Sequence, residues 1–126
     1  MGRGRLGRTD VDSFKEFIRR NALSITSIVD PELLNNLCET IRQFAKRDKA
    51  KYTQIRNIYN AIKNIDRIEE LVSLRPILAY IGARNNISDL TNFLDDLIKN
   101  IRSEDQLRSF KKFMEMFICY KRVERN

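Results

Sequence analysis

The sequence contains no histidine, and this absence narrows the chemistry open to the chain. Histidine titrates nearest to neutral pH and is the commonest general acid–base group and metal ligand. Cys38 and Cys119 lie far apart and cannot build a zinc site without histidine or carboxylate ligands. The sequence also lacks a Walker-type phosphate loop and a Gly-x-Gly-x-x-Gly segment. We therefore predict a protein that is not an enzyme, with no catalytic residue, no metal site, no cofactor and no small-molecule substrate.

Long hydrophobic runs are also missing. The longest apolar stretch, Ile77 to Ala83, is far shorter than the roughly 20 residues that cross a membrane. The N-terminal arginines are not followed by the apolar core of a signal peptide. The two cysteines sit among apolar residues at helical spacing, which favours buried free thiols over a disulfide. We expect a cytoplasmic protein that does not contact a membrane.

Glycine (4 residues) and proline (2 residues) are scarce, so few tight hairpins can form. No segment alternates between apolar and polar residues for long enough to indicate a strand, whereas apolar residues recur every three or four positions. A chain of 126 residues with 42% hydrophobic content can close one core. We predict an all-α fold, a single compact bundle of five or six helices formed by residues 9–126, preceded by a flexible basic arm at residues 1–8.

Capping residues predict where the helices begin. In chain order the predicted caps are Asp10, Asp30 before Pro31, Thr53, Ser88, and Ser103 with Gln106. The central helix is expected to run from Thr53 to about Ser73, because apolar residues recur from Ile55 to Val72. A shorter helix is expected to start at Pro76, to bury Ile77, Leu78, Tyr80 and Ile81, and to end at Asn85-Asn86. The last helix is expected to place Lys111, Lys112, Lys121 and Arg122 on its outer side.

The net charge of +7 favours a polyanionic partner, most simply nucleic acid. Arg56, Asn60, Lys63 and Arg67 follow one another at intervals of four, three and four residues, so the predicted central helix carries them on one side over roughly 16 Å. A charged run that includes Lys49 and Lys51 leads into this helix. Each feature alone is typical of a solvated surface, but together they favour contact with a nucleic-acid backbone.

Two segments of the central region carry a resemblance to a known family. The first is Thr53-Gln54-Ile55-Arg56, which follows the basic loop, and the second is Leu74-Arg75-Pro76 followed by Leu78-Ala79-Tyr80 and Arg84. In this order and spacing they resemble the small subunit of type III-A CRISPR effector complexes, the Csm small-subunit family. The remainder of the chain agrees with that family in length, helicity and positive charge.

The resemblance implies a non-catalytic, RNA-binding small subunit in antiviral defence. Copies of such a subunit stack along the ribonucleoprotein beside other effector subunits and hold the target RNA against the guide RNA through backbone contacts. Charge, helix phase and the resemblance together give these predicted RNA-binding residues: Lys49, Lys51, Arg56, Lys63, Arg67, Arg75 and Arg84. The predictions for Arg56 and Arg84 rest on the two segments that resemble the family. Those for Lys49, Lys51 and Lys63 rest on charge and helix phase. Arg75, like Tyr80, is alternatively a residue of the fold.

Two other functions are compatible with the residues. One is a helical protein-binding adaptor whose basic face meets an acidic partner, and the composition fits it almost as well. The other is a small DNA-binding regulator. It is disfavoured because no short glycine-containing turn joins two helices ahead of a basic recognition face.

Overall fold

In a computed structural model the chain is described over residues 6–124, and its side chains from residue 10 onward. The first five residues of the predicted arm lie outside this part. The helices, in chain order, are α1 (Leu6–Asn21), a 3-10 helix (Ala22–Ser27), α2 (Pro31–Arg47), α3 (Tyr52–Ile62), α4 (Ile68–Val72), α5 (Arg75–Asn85), α6 (Ser88–Lys99) and α7 (Glu104–Glu124). No strand occurs in the described part, which confirms the predicted all-α fold. Six of the α-helices have at least 11 residues, and α4 is little more than one turn.

Helix α7 packs against three other elements of the bundle. It contacts the 3-10 helix, α2 and α3, while α1 packs on α2 and α5 packs on α6. Its inner side chains recur every three or four residues, as predicted, and all of them are buried: Leu107, Phe110, Phe113, Met114, Phe117 and Ile118.

Four buried phenylalanines join α2, α6 and α7 at the centre of the core. The ring of Phe44 lies 5.3 Å from that of Phe93 and 5.3 Å from that of Phe117. Phe113 completes the cluster, 6.5 Å from Phe93 and 5.9 Å from Phe117. Aromatic pairs at such distances add about 0.5–1.5 kcal/mol each to the free energy gained by burial. The cluster therefore fixes α2, and the loop that follows it, against α7.

The predicted central helix is interrupted. Helix α3 ends at Ile62, and the chain turns through residues 63–67 before α4 begins. Asn64 and Asp66, which favour turns, flank the half-buried Ile65. The carbonyl oxygen of Ile65 accepts a hydrogen bond from the side chain of Lys111, Nζ to O at 2.7 Å, in place of the backbone bond that a continuous helix would supply. The prediction of one helix to Ser73 was wrong because this tertiary contact stabilises the turn.

Two predicted helix starts are confirmed by their caps. The Asp30 carboxylate accepts a hydrogen bond from the Glu32 backbone N–H at 3.0 Å, with Pro31 as the first helical residue. Ser103 Oγ accepts from the Gln106 backbone N–H at 3.2 Å, but the Gln106 side chain bonds the N–H of Arg102 instead of Ser103. The predicted capping box is therefore only half formed.

Three predicted caps were wrong. Helix α1 begins at Leu6, before Asp10 and within the predicted arm. Helix α3 begins at Tyr52, and its start is stabilised by the side chain of Gln54, which accepts from the Lys51 backbone N–H at 2.9 Å, and not by Thr53. Ser88 is the first residue of α6 and makes no cap hydrogen bond. The starts of α3 and α6 differ from the prediction by one or two residues, the scale on which helix ends commonly vary, whereas α1 starts five residues earlier than predicted.

Helix α5 starts at Arg75, with Pro76 second, and ends at Asn85 as predicted. Asn86 follows in the left-handed conformation with φ 58°. Leu78 and Gly82 face α6, so Ile77 and Tyr80 point away from it and are 51% and 62% exposed. The prediction that these two residues are buried was wrong, because only one side of α5 meets the rest of the chain.

The predicted thiol state is partly correct. Both cysteines are free, but Cys38 is half-buried and Cys119 is exposed. Cys119 lies next to Ile118 in the sequence, yet its position on α7 is turned by about 100° from that buried side chain.

Gly82 is the point of closest approach between α5 and α6. A Cβ atom on Gly82 would overlap Thr91 Oγ1 and lie 3.2 Å from the Ser88 Cα. Thr91 is itself buried, so it has little room to move.

We predict that Gly82→Ala lowers the free energy of unfolding by about 1–3 kcal/mol, the usual cost of overpacking. Helix propensity alone predicts the opposite sign, a gain of about 1 kcal/mol. Urea denaturation measures the change, with the exposed neighbour variant Ala83→Gly as a control for propensity. An unchanged or higher stability of Gly82→Ala would contradict the close approach.

Candidate nucleic-acid interface

The loop between α2 and α3 is held in place by a buried lysine. Lys121, on α7, is only 8% exposed. Its Nζ donates hydrogen bonds to the carbonyl oxygens of Ala45 at 2.9 Å and Asp48 at 2.5 Å. These carbonyls belong to the C-terminal end of α2, where backbone oxygens lack helical partners and the helix dipole is negative. The prediction that Lys121 faces outward was wrong, because its ammonium group donates hydrogen bonds to the carbonyl oxygens at this helix end.

Burial shifts the pKa of both charged groups beneath the loop, Lys121 and Asp48. Burial lowers the pKa of Lys121, opposed by the nearby carboxylate of Asp48. Burial likewise raises the pKa of Asp48, opposed by the hydrogen bond that its Oδ2 accepts from the Ala50 N–H at 2.9 Å. The two opposite charges thus partly compensate each other's desolvation and fix the conformation of residues 48–51.

Three lysines in this loop and in the last turn of α2 form no ion pair in the described part of the chain. Lys46, Lys49 and Lys51 are exposed and make no ion pair with any residue that the structure describes. Together with Tyr52 and Thr53 they line a depression of about 470 Å³. Asp48 and Glu124 also line this depression, but since none of the three lysines forms an ion pair within the described residues, their ammonium groups are available to phosphate groups.

Two arginines extend this surface around Tyr52. The guanidinium carbon of Arg56 lies 5.8 Å from the centre of the Tyr52 ring, and that of Arg122 lies 5.3 Å from it. Arg122 Nη1 also donates to the Tyr52 hydroxyl at 2.8 Å. Cation–π contacts orient both guanidinium groups without neutralising them. We call the set Lys46, Lys49, Lys51, Arg56 and Arg122 the basic end of the molecule.

The structure separates the predicted RNA-binding residues. Lys49, Lys51 and Arg56 belong to the basic end. Lys63 caps the opposite end of α3, roughly 18 Å away at 1.5 Å per residue, where it lines another depression with Lys111 and Lys112. Because α3 ends at Ile62, the predicted row from Arg56 to Arg67 does not lie on one helix.

Two of the predicted residues are neutralised within the chain. Arg67 pairs with Glu69 at 3.4 Å and Glu70 at 3.8 Å. Arg75 forms a two-pronged ion pair with Asp95, with Nε to Oδ1 at 2.6 Å and Nη2 to Oδ2 at 3.2 Å. The hydrogen bond to Asp95 raises the pKa of Arg75. This pair connects α5 to α6, which favours the alternative that Arg75 is a residue of the fold.

Arg84 is exposed, and its Nη1 donates to the Tyr80 hydroxyl at 3.3 Å. The turn that follows α5 approaches the basic end. Ile87 and Asp89 line a depression of about 510 Å³ together with Lys49.

Sequence reasoning missed Tyr52, Lys121 and Arg122 as parts of this site. For Lys121 a signal was present, since it follows Phe117 by four residues and Ile118 by three, which continues the buried stripe of α7. The contacts of Arg122 and Tyr52 join residues 70 positions apart and leave no local signal.

Within the described residues, no group of three or more cysteine, aspartate or glutamate side chains could hold a metal ion. None of the described helices has the length and apolar character that a membrane crossing requires. The fold and its basic end define a small all-α protein with a cationic surface built around an interhelical loop.

Comparison with known protein families assigns the chain to one family. The family model described as Csm2 Type III-A matches residues 29–126, which include every helix from α2 to α7. The chain belongs to this family, the small subunit of type III-A CRISPR effector complexes. No curated protein and no solved structure matches the chain significantly.

We predict that Lys121→Met lowers the free energy of unfolding by about 1–3 kcal/mol. It keeps the buried aliphatic volume but leaves the Ala45 and Asp48 carbonyls without their donor. Chemical denaturation measures the loss. Lys112→Met, on the same helix at an exposed ion pair with Glu115, serves as the control and should change stability by less than about 0.5 kcal/mol. Equal effects of the two variants would show that the buried hydrogen bonds contribute little.

Proposed function

We propose that this subunit holds the target RNA strand against the guide RNA in the type III-A effector complex, through phosphate and sugar contacts made by the basic end. The observation that carries the proposal is the cluster of lysines and arginines around the anchored α2–α3 loop, none of which has an ion-pair partner in the described part. Target sequence is already read by base pairing with the guide. Backbone contacts are therefore what the protein has left to supply.

The charge distribution supports the choice of this surface. Elsewhere the chain pairs many of its cations internally, as with Arg19 and Asp96, Arg42 and Glu39, or Lys99 and Asp96. Such pairs have no net charge and therefore attract a polyanion only weakly. Two of the unpaired cations at the basic end, Lys49 and Lys51, lie on a loop whose conformation depends on buried hydrogen bonds, and the others lie on helices. Binding RNA therefore costs little ordering of the backbone.

The proposed role requires no catalysis by this chain and places it in the cytoplasm, beside other effector subunits and further copies of itself. Lys63 and Arg84 lie outside the basic end. The proposed RNA-binding surface leaves both of them out, and single variants in the same assay test whether either contacts RNA.

The decisive test removes three charges at the basic end of the reconstituted complex. In the variant Lys46→Gln, Lys49→Gln, Lys51→Gln we expect weaker target RNA binding. The plot of log K against log[salt] should become less steep by about 0.7 for each phosphate that the protein no longer neutralises. The matched control removes three ion-paired cations with no predicted RNA contact, Arg20→Gln, Arg42→Gln and Lys99→Gln, and so has the same net charge. Equal weakening by both variants would mean that only the overall charge matters, and the proposed site would be wrong.

Arg56→Ala tests whether the contacts are independent of sequence. Because a guanidinium on the phosphate backbone does not distinguish bases, we expect the affinity to fall by a similar factor for several unrelated guide–target pairs. Binding assays with three or more target sequences measure this factor. A decrease confined to particular sequences would instead point to a contact with base edges.

A further inference from the structure

Helix α5 is apolar on two opposite sides, and only one of them is covered. Leu78 and Gly82 are buried against α6. On the other side Ile77 is 51% and Tyr80 is 62% exposed, beside the exposed Pro76 and Ala83. A helix that is apolar all round is normally buried all round, so the outer side of α5 has the composition of a covered surface.

The exposed apolar surface continues onto α4. Val72 is 40% exposed and lies with Pro76 and Ala79 at a depression between α4, α5 and α6. Among the described residues, five large apolar side chains are exposed, and three of them belong to this α4–α5 unit. The other two, Val29 and Val123, lie before α2 and near the end of α7. Single exposed apolar residues are ordinary, whereas a group on one unit marks an interaction surface.

Contacts between α5 and α6 hold this surface in place. The close approach of Gly82 to Thr91 and the two-pronged pair between Arg75 and Asp95 fix α5 on α6. A preformed surface loses little conformational freedom on docking, which favours a specific interface.

The charges of this surface indicate the chemistry of its partner. Helix α5 contains no acidic residue. At its C-terminal end the guanidinium of Arg84 is oriented by the Tyr80 hydroxyl and forms no ion pair in the described part of the chain. Tyrosine and arginine together with aliphatic side chains are typical of protein interface centres. A nucleic-acid surface would need more cations than this single one.

We propose that Val72, Ile77, Tyr80 and Arg84 form a docking face for a different protein subunit of the effector complex, not a second copy of this chain, and that this partner presents apolar side chains with a carboxylate opposite Arg84. The proposal rests on membership of the Csm2 Type III-A family and does not depend on RNA contacts at the basic end.

The test uses the full chain, co-expressed with the other subunits and the guide RNA, with the affinity tag on another subunit. The double variant Ile77→Asp, Tyr80→Asp should lower the amount of this chain recovered per tagged subunit at least tenfold. Val29→Asp, Val123→Asp is the matched control, because it places the same two charges on exposed apolar positions elsewhere, and it should be recovered like the wild type. Arg84→Gln should also lower recovery, and Arg84→Lys should restore much of it. Thermal unfolding of each isolated variant verifies that the fold is intact.

Three results would overturn this proposal. One is normal recovery of the docking-face variant. Another is a wild-type chain that self-associates in light scattering while the variant is monomeric, since the partner would then be a second copy. The third is normal assembly without target RNA binding, which would assign the face to nucleic acid. In contrast, failed assembly of this variant alongside normal RNA binding by the basic-end variant would refute the RNA proposal alone.

Discussion

The hydrogen bonds from Lys121 to the end of α2 are the interaction on which the candidate site depends. The phenylalanine cluster brings α2 against α7, and one turn beyond Phe117 the buried stripe of α7 ends in an ammonium group. That group satisfies carbonyls at a helix end where no backbone donor is available. Burying a charge is costly unless it is well bonded. Here the hydrogen bonds offset that cost and also fix the loop that carries Lys49 and Lys51.

The distribution of charge follows from the same packing. Cations near acidic residues on a helix or across a helix pair are neutralised, as Arg67 is by α4 and Arg75 is by Asp95. The lysines of the α2–α3 loop form no ion pair with Asp48, the acidic residue of that loop, because its carboxylate is turned inward and accepts a hydrogen bond from the Ala50 N–H. Basic residues occur along much of the chain and give it a net charge of +7. The five cations of the basic end form no ion pair with the residues that the structure describes, so this end carries a cluster of positive charge.

The two proposed surfaces would bind their partners through different interactions. The basic end offers uncompensated charge, which suits a partner recognised through its phosphates. The outer side of α5 offers apolar area with one oriented arginine, which suits a folded protein. The two proposals together need both kinds of surface, and the bundle places them on different helices.

Local sequence determined that the chain is all-α and which side of most of α7 is buried, because helical periodicity is written in neighbouring residues. It also determined the absence of histidine chemistry and the sign of the charge. Tertiary structure alone decided that α3 stops at Ile62, that Lys121 turns inward and that Arg75 is paired, since each depends on a partner at least 20 residues away. Only the packed chain decided which cations remain free, because pairing is a property of distance in space and not of spacing in sequence.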